Sequence, residues 1–243
     1  MVNKLIGFSA MLTERVGCML FGRSSDENSS FIAMFHNVLR DDADDVKPYE
    51  CRLGELVDFV DKMQAKGFEF VSLDALLTIP AEDAVKNKCV ITFDDGFESL
   101  FSLASPALQE RNIPFTVFVT ASFIGESGYL NINQLKKLSE LDVCTVGMHA
   151  FRHEMFRFKS RKELAEDFYR CREELSEITG STFMHYAFPY GSTYACSFAN
   201  TRLVHSLGVK SISMTLPVRL NKLLLKYRFY LPRLDIPSWY HKY

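Results

Sequence analysis

Two rhythms of apolar residues alternate along this chain. Short, dense runs of the strand type are followed by stretches in which apolar positions recur every third or fourth residue. Phe31–Phe35 is the first dense run and ends at His36-Asn37. Leu53, Leu56, Val57, Val60 and Met63 then recur at helical spacing, with Gly67 placed to stop the helix. Phe68-Glu69-Phe70-Val71 alternates as a strand, and Ser72–Leu77 reads as a capped short helix. A strand at Cys89–Phe93 precedes a helix carrying Leu100, Ala104 and Leu108. Pro114–Thr120 is a strand, Asn133–Glu140 a helix and Val143–Met148 a strand. Arg161–Thr179 is the clearest helix, with Leu164, Phe168, Cys171, Leu175 and Ile178 on one face and Gly180 at its end. Phe183–Phe188, a helix over Phe198–Leu207, Val209–Ser213 and a last strand near Tyr230–Leu234 complete the series.

Some seven strand–helix units without internal repeats predict an α/β fold on a parallel sheet. At this length a closed or nearly closed βα barrel is favoured over a doubly wound open sheet, although periodicity alone allows both. Either version gathers chemistry at the C-terminal ends of the strands. His36, Asp94-Asp95, His149 and Pro189-Tyr190 each follow a predicted strand, so one face of the fold collects them.

Composition narrows this picture. The chain has 243 residues, 47% hydrophobic and 24% charged, enough for a single domain with a large core. A net charge of -2 and the absence of a basic stripe exclude an electrostatic nucleic-acid binder. Leu5–Phe21 is apolar, but Glu14 and Arg15 interrupt it, so it predicts neither a transmembrane segment nor a signal peptide. Met1–Arg23 is expected to belong to the folded domain or to a surface helix, and the protein is expected to be cytoplasmic. Six cysteines without CxxC spacing read as small core residues. The acidic run Asp41–Asp45 reads as a solvated loop.

The candidate chemistry begins at Asp94-Asp95-Gly96, where an apolar run delivers two carboxylates onto a glycine turn. Adjacent like charges raise each other's pKa unless a cation or hydrogen-bond donors compensate. Asp-Asp-Gly is also ordinary turn chemistry. His149 and His153 stand four apart, a spacing that brings two imidazoles to one side on a helix or a tight turn. Alone, the spacing is weak evidence, and the two read as surface or core histidines that happen to be close. Together with one strand-end aspartate they make the three ligands of an open metal site, leaving the other aspartate as a base.

These segments resemble a known family. Ile91-Thr92-Phe93-Asp94-Asp95-Gly96, His149-Ala150-Phe151-Arg152-His153 and Ala187-Phe188-Pro189-Tyr190-Gly191 are similar, in order, to the first three motifs of the polysaccharide deacetylases, the NodB-homology family 4 carbohydrate esterases. With Met34–Val38 and Pro232–Asp235 the resemblance spans roughly Phe31 to Ile236. It implies a distorted, TIM-barrel-like (β/α)7 barrel over residues 31–243, with residues 1–30 as an N-terminal extension packed on or beside it. It implies Asp94 as general base and Asp95, His149 and His153 as ligands of a divalent metal, usually zinc; cobalt, nickel or iron would suit the same donors. Pro189-Tyr190 would place the Tyr190 N–H against the oxyanion. The implied reaction is metal-assisted hydrolysis of an N-acetyl group on a glycan or glycan precursor, such as a bacterial surface polysaccharide.

The chain departs from the family in three places. Ala150 stands where a serine or threonine is usual. Ala187 replaces an arginine that orients the catalytic aspartate, as in one branch of the family, and Arg233 is the candidate replacement; its plain reading is a surface or salt-bridge arginine. The usual late histidine motif is missing: His241 lies in a polar tail and His205 in a helix. His36, in a run resembling the Tyr-His-x-Val motif of the same branch, therefore reads as general acid or substrate-binding group, or else as simple loop packing. Most of the 21 Phe and 10 Tyr must be core, but Phe97, Tyr190 and Tyr194 lie near the expected site, while Trp239 near the C-terminus reads as covering the barrel or nothing. Two other functions fit the residues. One is a non-catalytic carbohydrate-binding barrel, favoured by Ala150 and Ala187; the other is an amidase acting on small non-sugar amides.

Overall fold

In the computed structural model, which describes residues 27–237, the predicted alternation closes into a ring. The strands in chain order are β1 (Phe31–Phe35), β2 (Val38–Leu39), β3 (Cys51–Arg52), β4 (Glu69–Phe70) and β5 (Lys88–Phe93), then β6 (Phe115–Val119), β7 (Cys144–Met148), β8 (His185–Ala187), β9 (Ser211–Thr215) and β10 (Leu231–Asp235). Seven of them form a parallel barrel in the order β1, β5, β6, β7, β8, β9, β10 and back to β1. Strand β4 joins β5 at Lys88 and Cys89, outside the ring, and β2 pairs with β3 in a small separate ribbon. Strand β1 runs in register with β5 from Phe31 opposite Cys89 to Phe35 opposite Phe93. That register sets His36 and Asp94 side by side, one step past the paired strands.

Helices α1 (Leu53–Ala65), α2 (Leu73–Thr78), α3 (Ala81–Ala84), α4 (Ser105–Glu110), α5 (Ile132–Ser139), α6 (Arg161–Thr179), α7 (Phe198–Ser206) and α8 (Lys222–Lys226) connect the strands. Helix α6 shows why its sequence is helical. Ser160 accepts from the Glu163 N–H while Glu163 answers the Ser160 N–H, and Gly180 closes the end with a left-handed φ of 68°. Leu164, Phe168, Cys171 and Leu175 are its buried stripe. Burying each such side chain contributes about 1.5–3 kcal/mol. The helix carrying Leu100, Ala104 and Leu108 opens with a wider π-helical turn, Leu100–Ala104, ahead of Pro106 in α4. Proline cannot donate to the preceding turn, and the widened turn absorbs the missing bond.

Two cores result. The larger lies between the helices and the outer faces of the strands. The smaller fills the lower barrel with Ile32, Val90, Phe118, Ala187 and Leu231, plugged from below by Leu73, Leu76 and Leu77 of α2. Above it the barrel interior turns polar, at Thr92, Asp94, His149 and Arg233, all buried.

Strand β9 differs from expectation, running over Ser211–Thr215 rather than Val209–Ser213. Its polar positions face the barrel interior, where Ser211 meets His185, while Ile212 and Met214 pack into the outer core. The short β2–β3 ribbon, α3 and α8 were not expected. Met1–Arg23, Trp239 and His241 lie outside the described residues. No helix among the described residues is long and apolar enough to cross a membrane.

Candidate active site

The barrel's C-terminal rim assembles every nominated side chain. Asp94 and Asp95 follow β5, His149 follows β7, Pro189 and Tyr190 follow β8, His36 follows β1, and Arg233 projects from within β10. Three of the turns that carry them hold a non-glycine residue in the left-handed region: Asp95 at φ 71°, Ala150 at 66° and Tyr190 at 62°. Such a conformation costs about 1–2 kcal/mol per residue and clusters at functional turns. Phe188–Gly191 is a β-turn closed by the Gly191 N–H on the Phe188 carbonyl, with Pro189 second and left-handed Tyr190 third, the pattern of a type II turn. Gly191 (φ 52°) is required, since a Cβ there would lie 2.2 Å from Thr215 Oγ1. The Tyr190 N–H meets no backbone acceptor among the described residues.

Asp95, His149 and His153 present ligand atoms within 4.8 Å of one another. His149 Nε2 and His153 Nε2 stand 3.4 and 3.3 Å from Asp95 Oδ1. That oxygen is buried without a hydrogen-bond partner. His149 Nδ1 lies 2.9 Å from the Ala187 carbonyl, an acceptor that calls for a proton on Nδ1, and its Nε2 is the nitrogen that faces Asp95. These are the features of a ligand set shaped for a divalent cation. Burial depresses the His149 pKa, yet the charges of Asp94 and Asp95 outweigh it and hold the pKa above its ordinary value. His153 is held below its ordinary value by burial and by the charge of His149. The two histidines are not helical: they occupy an irregular loop between β7 and α6.

Arg233 is fully buried and grips Asp94 with both arms, Nη1 to Oδ1 and Nη2 to Oδ2 at 2.6 Å each. It is not a surface arginine. Its Nη1 also donates to Thr92 Oγ1 at 3.3 Å, and Thr92 donates to the Ala33 carbonyl at 2.9 Å. Burial would raise the Asp94 pKa, but the Arg233 charge, the His149 charge and the paired hydrogen bonds hold the carboxyl well below the usual carboxylate range. Asp94 Oδ2 stands 3.8 Å from His149 Nε2 and so borders the ligand cluster.

His36 sits beside this cluster, close enough for its charge to act on Asp94, Asp95 and His153. Its Nδ1 is buried without a partner, and its ring meets Tyr49 edge-on at 6.0 Å. Aromatic rings line the mouth. Phe97 stacks on Tyr129 at 4.9 Å, Phe123 lies 4.6 Å from Tyr129, and Tyr190 lies 4.7 Å from His153. Tyr194 instead pairs with Phe158 and Arg157 and makes no ring contact with these residues. His205, on α7, contacts Phe229 and takes no part.

Several supporting residues escaped the sequence reading. Asp167 accepts the Phe151 and Arg152 N–H groups at 2.8 and 3.0 Å, clamping the loop between the two histidines. Its signal was present: position 167 follows Leu164 by three and precedes Cys171 by four, which puts a carboxylate on the buried stripe of α6. Asn37, Glu50 and Ser99 form a second network under His36, with Asn37 Nδ2 on Glu50 Oε1 at 3.0 Å and Ser99 Oγ on Asn37 Oδ1 at 2.7 Å. Nothing local in the sequence marks that network or Tyr129.

Comparison with known proteins identifies the family and the fold. Residues 81–211 match the family model described as polysaccharide deacetylase. The poly-beta-1,6-N-acetyl-D-glucosamine N-deacetylase of Staphylococcus epidermidis is 21% identical over 191 residues, 68% of this chain and 66% of that protein. Its counterpart in Staphylococcus aureus is 20% identical over 190 residues, with the same shares. The chain thus spans 66% of the length of the curated relatives it matches. Among solved structures, IcaB from Ammonifex degensii superposes with a TM-score of 0.74 at 22% identity, covering 88% of this chain and 97% of that one. A polysaccharide deacetylase from Bacillus cereus gives 0.72 at 16% identity, covering 85% and 64%. At these identities the likeness establishes the shared barrel.

Proposed function

This chain belongs to the polysaccharide deacetylase family, and from that premise we propose that it hydrolyses N-acetyl groups on an N-acetylglucosamine polymer or its precursor. The observation that carries the proposal is the fully buried Arg233–Asp94 pair set against the Asp95, His149 and His153 cluster. An ionised carboxylate and a ligand set for a divalent cation are what amide hydrolysis needs in one place. When bound, the cation supplies a Lewis acid for the amide carbonyl and acidifies a water enough for a base as weak as Asp94. Zinc, cobalt, nickel and iron all suit one carboxylate and two imidazoles.

The chain's own groups divide the remaining work. Asp94, its plane set by Arg233, takes the proton of the attacking water through Oδ2, the oxygen that borders the ligand cluster. The Tyr190 N–H donates to the carbonyl oxygen as it gains charge. His36 then protonates the departing amine, so acetate and a free amino sugar leave. The exposed ring of Tyr190 and the partly buried rings of Phe97 and Tyr129 offer faces to the apolar side of a sugar ring.

The test is acetate release from β-1,6-linked N-acetylglucosamine oligomers, before and after chelation and with divalent metal restored. Activity should vanish with chelation and return with metal, and Asp94→Asn should lower kcat by at least about a hundredfold. His36→Ala should lower kcat, and an unchanged rate would remove the acid role. Metal bound in the expected ratio without acetate release would overturn the proposal in favour of a carbohydrate-binding barrel. Faster turnover of small N-acetyl amides than of oligomers would favour an amidase.

A further inference from the structure

Beneath the Arg233–Asp94 pair lies an arrangement that the chemistry above leaves unused. Phe118, on β6, is fully buried at the top of the inner apolar core, with Ile32, Val90, Ala187 and Leu231 around it. Its ring centroid stands 5.2 Å from Arg233 Cζ, within the range of a cation–π contact. In register opposite Phe118 on β7 is Gly147, two residues before the ligand His149. A Cβ on Gly147 would lie 2.7 and 2.8 Å from Phe118 Cδ1 and Cε1, and 3.2 Å from the His185 carbonyl. Glycine is therefore what lets the ring lie across β7. Without it the ring would be driven off its place under the guanidinium.

We infer that Phe118, seated by Gly147, is a positioning residue whose ring sets the Arg233 guanidinium and thereby aims the Asp94 carboxylate. The inference rests on the reading of Asp94 as the base. The physical reason is that a guanidinium in an apolar barrel has few partners to define its orientation. Arg233 Nη1 and Nη2 are committed to Asp94 and Thr92, and Nε is buried without a partner. Two parallel hydrogen bonds allow the fork to rock about their common direction, and an aromatic face below it stops that motion.

The experiment compares wild type, Phe118→Leu, Gly147→Ala, Arg233→Lys and the Phe118→Leu/Arg233→Lys double variant. Phe118→Leu should lower kcat about tenfold, the size expected of a lost cation–π contact in a desolvated site, with KM and divalent-metal affinity unchanged. In the Arg233→Lys background the same change should cost less than about twofold, because the fork it orients is already gone. Gly147→Ala should reproduce the kcat loss. A loss of equal size in both backgrounds, or one in which KM and metal affinity move with kcat, would overturn the inference. A second readout needs no turnover: slow rotation of a doubly bonded guanidinium gives separate Arg233 Nη proton signals in NMR. These should be resolved in wild type and merge in Phe118→Leu. Merged signals in Phe118→Leu without acetate release from wild type would sink the deacetylase reading and keep the positioning role. Resolved signals in Phe118→Leu would sink the positioning role whatever the activity.

Discussion

Individual side chains here owe their behaviour to what encloses them. Asp94 and Asp95 are neighbours with opposite surroundings: one is gripped by a guanidinium, the other faces two imidazoles. The cost of placing two carboxylates together is thus met by different partners, which separates their chemistry. Asp167 has no contact with a substrate, yet it holds the loop that spaces His149 from His153. Asp167→Ala is expected to weaken divalent-metal affinity about 10–100-fold, the usual cost of losing an outer support of a ligand set. Competition with a chelating dye would measure it, and unchanged affinity would show that Ala150 and its strained turn hold the loop unaided.

Among the elements, α2 is expected to dock in a pH-dependent way. It plugs the barrel floor with Leu73, Leu76 and Leu77, and its Asp74 reaches His185 Nε2 at 3.2 Å. His185 Nδ1 meets Ser211 Oγ at 2.8 Å, and Lys210 pairs with the far side of Asp74 at 3.3 Å. Burial pushes the His185 pKa below its ordinary value despite the attraction of Asp74. A histidine depressed in the folded state binds its proton more readily when unfolded. Its stabilising contribution is therefore present above about pH 6.5 and lost as the pH falls below that. Urea midpoints of wild type should decline from pH 7.5 to 5, and His185→Gln should flatten that decline. An identical pH dependence in both proteins would refute the assignment.

For the molecule as a whole, closure of the ring matters most. Because β10 pairs with both β9 and β1, no strand of the barrel is left as an edge, and the pairing that closes the sheet also carries Arg233 to Asp94. Folding and assembly of the site are then one event. Leu231→Ala, two residues from Arg233 and fully buried in the inner core, should lower unfolding free energy by about 2–5 kcal/mol. The loss should appear as the shift of a single urea transition. A separate early transition would show that the last strand melts on its own.

Much of this was readable in one dimension. The strand–helix alternation, the helix Arg161–Thr179 with its glycine stop, and the four strand ends bearing His36, Asp94-Asp95, His149 and Pro189-Tyr190 depend on local period and turn chemistry, which a linear sequence records. The bounds of β9 escaped because its inward positions Ser211 and Ser213 are polar, and only the outward Ile212 and Met214 carry an apolar signal. Which way the Arg233 fork points, that Asp167 clamps a loop sixteen residues away, and that Gly147 makes room for the Phe118 ring were decided only by closure in three dimensions. Local propensity acts between near neighbours along the chain. The distances that make Asp94 a base and Asp95 a ligand are set between strands that meet only when the ring is complete.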